Sequence, residues 1–223
     1  MNTDYKNVIV RKPWGHEYLV YENEFVGLWF LKINYKQTTS FHCHPLKTSG
    51  LFVIDGTAEV SFFDNNYIVK TGQKIMIRKG LFHSTKSLSE SGSLILEIET
   101  PKDKLDLVRL DDLYGRTAKP YEGKSEEIRK DENCVWIREP EKGAKDIYYF
   151  NDIKIKVENI INIDDFKKKS DNENLIFLRG GILCDKHNIT QPGDIVSIST
   201  IRKLIKTFEK ISPNTNVLSL AAN

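Results

Sequence analysis

Over the first hundred residues, short apolar runs alternate with clusters of turn-forming residues. Residues 8–10 (VIV) lead into Arg11-Lys12-Pro13-Trp14-Gly15, where proline and glycine mark a turn. Residues 18–21 form the next run, and 25–34 (FVGLWFLKIN) a longer one rich in aromatic and branched side chains. A polar turn (KQTTS) precedes two strand candidates around 40–44 and 51–54, the second closed by Asp55-Gly56. Residues 57–63 partly alternate, as a half-buried strand does, and Asp64-Asn65-Asn66 reads as a hairpin turn. Runs at 67–69, 74–77, 81–83 and 94–98 complete the series, with Thr71-Gly72 and Lys79-Gly80 between them. Short strands at this spacing predict an all-β barrel or sandwich rather than βαβ units.

The pattern changes at Pro101. Residues 102–116 (KDKLDLVRLDDLYGR) mix charge with Leu and Val and predict a helix or loop–helix. Residues 117–146 are the most charged and least periodic part and read as a connecting segment, with a possible strand at 135–137. Strand character returns at 147–150, 153–157, 160–163, 175–178 and 195–198. An internal repeat is visible here. LFVIDG (51–56) matches LIFLRG (175–180), and a glycine follows each, Gly72 and Gly193, before an apolar strand. The chain is therefore expected to hold two β-barrel (jelly-roll) units: 1–116, then a connection over 117–146, then a degenerate second copy over 147–223.

Lys and Arg number 33 against 31 Asp and Glu, a balance that gives no global field for nucleic acid or an anionic membrane. Three scattered cysteines (Cys43, Cys134, Cys184) fit neither a disulfide framework nor a CxxC zinc site and suit a reducing compartment. No run approaches the ~18 apolar residues of a membrane span, and the N-terminus has no signal-like apolar core. The expectation is a soluble, cytoplasmic protein.

His42 and His44 are separated by one residue, so on an extended chain both imidazoles face the same side. His83 follows a hairpin that would return it beside them. Three neutral imidazoles suit a divalent metal such as zinc, iron, nickel or manganese. Glu17, Glu97 and Glu99 are candidates by type for a fourth ligand, the last two sharing one strand face. Lys47 is placed to meet a phosphate or carboxylate, with Arg78 and Lys86 as further cations near His83. Alternation points Cys43 away from the metal, and Trp29 and Tyr67 read as core. P-loop, GxGxxG, GxSxG and HExxH motifs are absent.

The order of these motifs resembles the cupin superfamily, which implies a bicupin. Residues 11–116 resemble the cupin domain of type II mannose-6-phosphate isomerases. Lys12-Pro13-Trp14-Gly15 and Glu17 match that family's opening, and Asp106-Leu107-Val108-Arg109 with Asp112-Leu113-Tyr114-Gly115-Arg116 match its closing stretch. The chain departs from the pattern at two places. His42 stands where the family has Gln, and Ser49 stands where it has a metal-binding Glu. The resemblance therefore implies a three-histidine site of His42, His44 and His83, as also found in the thiol dioxygenase branch of cupins. In the second half the corresponding positions are Phe166 and Lys168, so that copy is expected to bind no metal.

The function so implied is a metal-dependent isomerase or epimerase of a sugar phosphate or nucleotide sugar in surface-polysaccharide synthesis. Lys47 or Arg109 would meet the anion and Glu97 or Glu99 would act as base. An iron dioxygenase and a non-catalytic sugar-binding cupin are the alternatives. The expected partner is a small molecule, a phosphorylated sugar, without nucleic acid or membrane, and the resemblance implies a possible homodimer.

Overall fold

A computed structural model describes residues 5–121, 127–128, 134–138 and 146–222. The chain divides into two compact units, Met1–Trp136 and Ile137–Asn223.

In the first unit the strands are β1 (Ile9–Lys12), β2 (Gly15–Glu22), β3 (Gly27–Ile33), β4 (Phe41–Cys43), β5 (Thr48–Asp55) and β6 (Thr57–Ser61). They continue with β7 (Asn66–Lys70), β8 (Lys74–Ile77), β9 (Ser84–Ser87), β10 (Ser93–Thr100), β11 (Val108–Asp111) and β12 (Glu127–Ile128). A seven-stranded sheet runs β12-β1-β2-β3-β10-β5-β8, and two smaller sheets, β7-β6-β9 and β4-β11, accompany it. Every pairing among these strands is antiparallel, consistent with the short turns that join most of them. Inward residues alternate along each strand. Trp29, Leu31 and Ile33 of β3, Leu51 and Val53 of β5, and Ile95 of β10 join Ala58, Val60, Val69 and Ile77 in one core. Burial of this face drives the barrel together, at roughly 25 cal/mol per Å² of apolar surface.

Gly15, in the KPWG stretch, shows why that position is glycine. Its φ is +147°, and a Cβ there would sit 2.0 Å from the Lys32 carbonyl oxygen on the neighbouring strand.

Two expectations for this unit are corrected. Residues 102–116 form turns and strand β11 rather than a helix, because Val108–Asp111 pairs with β4 through Arg109–His42 and Val108–Cys43. Tyr67 is not core: it is 51% exposed on β7. The expected strand at 135–137 is also absent, and most of the connecting segment lies outside the described residues.

The second unit contains β13 (Ile147–Phe150), β14 (Ile153–Ile160), β15 (Glu173–Arg179), β16 (Ile182–Cys184) and β17 (His187–Asn188). β18 (Ile195–Ser197), helix α1 (Ile198–Leu204), β19 (Lys210–Ile211) and β20 (Thr215–Ala222) complete it. Its sheets run β13-β14-β20-β15-β18 and β17-β16-β19. The first unit has the same order in β2-β3-β10-β5-β8 and β7-β6-β9. The backbone bonds of the repeat agree as well. Val53 exchanges bonds with Gly72 and Gln73, and Phe177 with Gly193 and Asp194.

Residues 160–163 do not form the separate strand expected. β14 ends at Ile160, and a 3-10 helix follows at Ile163–Lys168, capped reciprocally by Asn162 and Asp165. Phe166, at the position counted as equivalent to His42, is fully buried. It packs in one cluster with Ile198 and Ile201 of α1 and with Ile205. Among the described residues, no helix is long and apolar enough to cross a membrane.

Candidate metal centre

His42 lies on β4 and His44 just beyond it, while His83 immediately precedes β9. A backbone bridge between His42 and His83 joins the two segments, with N–H···O bonds of 2.9 and 2.8 Å in the two directions. The pleat turns Cys43 to the opposite side, where it is buried against β11. The three rings are 4.4 to 5.5 Å apart between centroids. One ligand nitrogen from each lies within 4.8 Å of the other two, so the cluster can hold a metal ion.

The tautomers follow from the partners. His42 Nδ1 is 2.8 Å from the Ser40 carbonyl, His44 Nδ1 2.6 Å from the Asp106 carbonyl, and His83 Nδ1 3.0 Å from the Leu81 carbonyl. A carbonyl oxygen only accepts, so each Nδ1 carries the proton and each Nε2 carries a lone pair. His44 Nε2 is buried and has no hydrogen-bond partner. Burial also keeps the rings neutral: it lowers His44 to about 3 and His83 to about 4, and holds His42 well below its ordinary value. Neutral rings with fixed tautomers and free Nε2 atoms are the form that binds a metal, and the donor set fits one.

The carboxylates named as possible fourth ligands are not part of this cluster among the described residues. Glu17, Glu97 and Glu99 are buried, but they serve a lysine network. Lys104 Nζ lies 3.1 Å from Glu99, 3.4 Å from Glu97 and 3.5 Å from Glu17, and sits 4.1 Å from the centre of the Trp29 ring. Lys47, only 1% exposed, donates to Glu99 Oε1 and to the Asp103 carbonyl, both at 2.8 Å. Lys12 lies 3.7 Å from Glu17, and the Tyr121 hydroxyl donates to Glu17.

The network pushes its carboxylates apart. Burial raises Glu97 above its usual range. Against the same burial, Lys104 and Lys47 hold Glu99 down to about 2. Glu17 is likewise lowered by Lys104 and Lys12 in spite of burial.

His42 and His44 line one cavity together with this network. Its lining carries five cationic side chains, from Lys12, Lys47, Lys104, Arg109 and Arg116, against the three glutamates. Arg109 is inside but donates through Nη1 to the carbonyls of Lys119 and Pro120, at 2.8 and 2.7 Å. Arg116 is paired with Asp112 at 2.7 Å.

Of the residues named from sequence, His42, His44, Lys47, Glu97, Glu99 and Arg109 line this cavity, and His83 joins it through the histidine cluster. Arg78 and Lys86 are not in the lining. Lys12, Lys104 and Tyr121 also line the cavity, and the sequence pattern does not mark them as site residues. Lys104 lies in the charged run read as helical, and only the strand pairing of β10 and β3 brings it over Trp29.

Comparison with known proteins gives a family description. A family model described as mannose-6-phosphate isomerase C-terminal matches residues 2–112. No curated protein matches the chain in sequence. Solved structures resembling it include KdgF from Halomonas sp., at 17% identity and TM-score 0.41, covering 46% of this chain and 94% of that one. The capsular polysaccharide assembling protein CapF from Staphylococcus aureus matches at 14% identity and TM-score 0.42, covering 47% and 34% of the two chains. A putative sugar phosphate isomerase from Acidithiobacillus ferrooxidans matches at 17% identity and TM-score 0.33, covering 35% and 52%.

Proposed function

Because the chain's first half is a cupin domain of the mannose-6-phosphate isomerase C-terminal family, we propose that it is a metal-dependent cupin acting on an anionic sugar. The substrate class is a sugar phosphate or nucleotide sugar and the reaction an isomerisation or epimerisation, in surface-polysaccharide synthesis. The observation that carries this reading is the juxtaposition of three metal-ready imidazoles, two of them lining one cavity, with that cavity's cation-rich wall and a carboxylate of raised pKa.

His42, His44 and His83 would hold the metal, which when bound would supply Lewis-acid polarisation of a carbonyl or its neighbouring hydroxyl. The surplus of cations favours an anionic group in the cavity. Glu97, raised by burial, can accept and return a proton at a substrate carbon, since its proton affinity lies nearer neutral pH than that of Glu99. Glu99, pinned between Lys47 and Lys104, is a fixed charge that holds both ammonium groups in place. The second unit is read as a degenerate cupin-like copy. It has the strand order of the first, but Phe166 and the isoleucines of α1 fill its core.

The test combines elemental analysis of protein purified without chelator with incubation in deuterated water against a panel of sugar phosphates and nucleotide sugars. Deuterium incorporation at the carbon beside the carbonyl, abolished in His83→Ala, is expected. Metal-loaded protein that exchanges no carbon-bound hydrogen across the panel rejects the reading. Among the described residues no carboxylate joins the histidine cluster, which supports a second reading, an iron-dependent oxygenase. Oxygen consumption by iron-loaded protein with a small thiol or diketone would select it.

A further inference from the structure

The turn joining β4 to β5 carries both His44 and Lys47, and one residue from a distant part of the chain grips it at three points. Asp106 lies just ahead of β11 and is buried. Its Oδ2 accepts the backbone N–H groups of Leu46 and Lys47, each at 2.9 Å. Its carbonyl oxygen accepts Nδ1–H of His44 at 2.6 Å. Three residues earlier, the Asp103 carbonyl accepts the Lys47 ammonium at 2.8 Å. The 103–106 segment thus forms a bracket around residues 44–47, closed by one carboxylate.

From this geometry we infer that Asp106 is a positioning residue for the metal centre: its carboxylate fixes the β4–β5 turn so that its own carbonyl can hold His44 with Nε2 turned to the ion. The inference rests on the metal-binding reading above. The chemistry is local. Leu46 is 65% exposed, so little side-chain packing holds the turn there, and the two N–H bonds to a buried carboxylate take that part. Without them the Leu46–Lys47 backbone is held only at its ends, by the Gly80 N–H to the His44 carbonyl at 2.8 Å and by the buried Lys47 side chain, and the His44–Asp106 bond loses its support from the turn. Groups that orient a ligand imidazole through its second nitrogen typically contribute about 10–100-fold to metal affinity. Both amides use the same carboxylate oxygen, so an asparagine side-chain oxygen can replace it, whereas alanine cannot.

The test measures cobalt(II) and zinc(II) affinity by competition with a chelating dye, together with the cobalt d–d absorption spectrum and thermal stability. The comparison is between the full-length parent, Asp106→Ala and Asp106→Asn. Asp106→Ala is expected to weaken metal about 10–100-fold and to alter the cobalt spectrum, while Asp106→Asn stays within a few fold of the parent. A folded Asp106→Ala that matches the parent in affinity and spectrum overturns the inference. A parent that binds neither ion rejects the metal reading instead, so the two failures are distinguishable. If Asp106→Ala does not fold, amide hydrogen exchange on the parent decides. Slow exchange at Leu46 despite its exposed side chain is expected, and rapid exchange at Leu46 and Lys47 overturns the bracket.

Discussion

Lys104 concentrates the electrostatics of the site in one ammonium group. Burial alone would favour its neutral form, yet Glu17, Glu99 and Glu97 raise its pKa above the ordinary lysine value. Removing it does not affect the three carboxylates equally. Glu99 keeps Lys47 and Glu17 keeps Lys12, whereas Lys104 is the only ion-pair partner of Glu97 among the described residues. Lys104→Met is therefore expected to destabilise the fold by about 3 kcal/mol, the lower end for breaking a buried pair, measured by urea unfolding. Lys104→Met/Glu97→Gln should recover part of that loss, because it removes the uncompensated charge. A double variant no more stable than the single one would refute this apportioning. At the metal centre, His44→Ala should remove a ligand whose Nε2 has no other partner, lowering bound metal to near zero by elemental analysis without loss of fold.

At the scale of elements, the barrel depends on turns whose backbone only glycine adopts readily. Gly15 and Gly180 are the tightest cases among the glycines of positive φ. A Cβ at Gly180, with φ +65°, would lie 2.5 Å from Thr215 Oγ1 and 3.0 Å from Thr215 Cα on the partner strand. Gly15→Ala and Gly180→Ala are each expected to cost more than the about 1–3 kcal/mol of a strained backbone position, because the added Cβ also collides with the neighbouring strand. Gly72→Ala, which meets no atom within 4 Å, should cost less, carrying only the strain of its φ of +81°. Thermal melts of the three variants test the order. The 3-10 helix and α1 of the second unit illustrate how the same sheet order can accept a different interior. Where the first unit turns His42 and His44 into a polar cavity, the second packs Phe166 against Ile198 and Ile201.

For the molecule as a whole, the buried imidazoles set an acid limit. Free imidazoles titrate near 6.5, whereas the folded His44 and His83 titrate at about 3 and about 4, and His42 is also well lowered. Between those limits the unfolded chain binds protons that the native chain does not, so stability falls as pH falls. Their full contribution is present above 6.5 and is lost on the way down to about 3. Glu99 adds in the same direction lower down, since its folded value of about 2 lies below the ordinary 4.5. Metal-free protein should therefore lose up to about 1.4 kcal/mol per histidine per pH unit within that window. Unfolding midpoints measured from about pH 7 to about pH 5 check the slope; a flat profile contradicts burial of neutral rings. A saturating metal should raise the midpoint, by about 2.7 kcal/mol of stability at a hundred times its dissociation constant, and a chelator should reverse it.

The sequence alone determined the all-β class, most of the first-unit strands between Ile9 and Thr100, and the convergence of His42, His44 and His83. Those features rest on local rules: period-two alternation, turn residues, and ligands one residue apart on an extended chain. The repeat at 51–56 and 175–180 was legible for the same reason. Tertiary structure decided where the carboxylates went. Glu97 and Glu99 announce only a shared strand face, and whether that face meets a metal, water or lysines depends on Lys47 and Lys104, distant on the chain or just beyond the strand's end. It also decided that residues 102–116 would be strand and turn. Pairing of β11 with β4 outweighs local helical preference there, because a strand's hydrogen bonds come from a partner that the local sequence does not name.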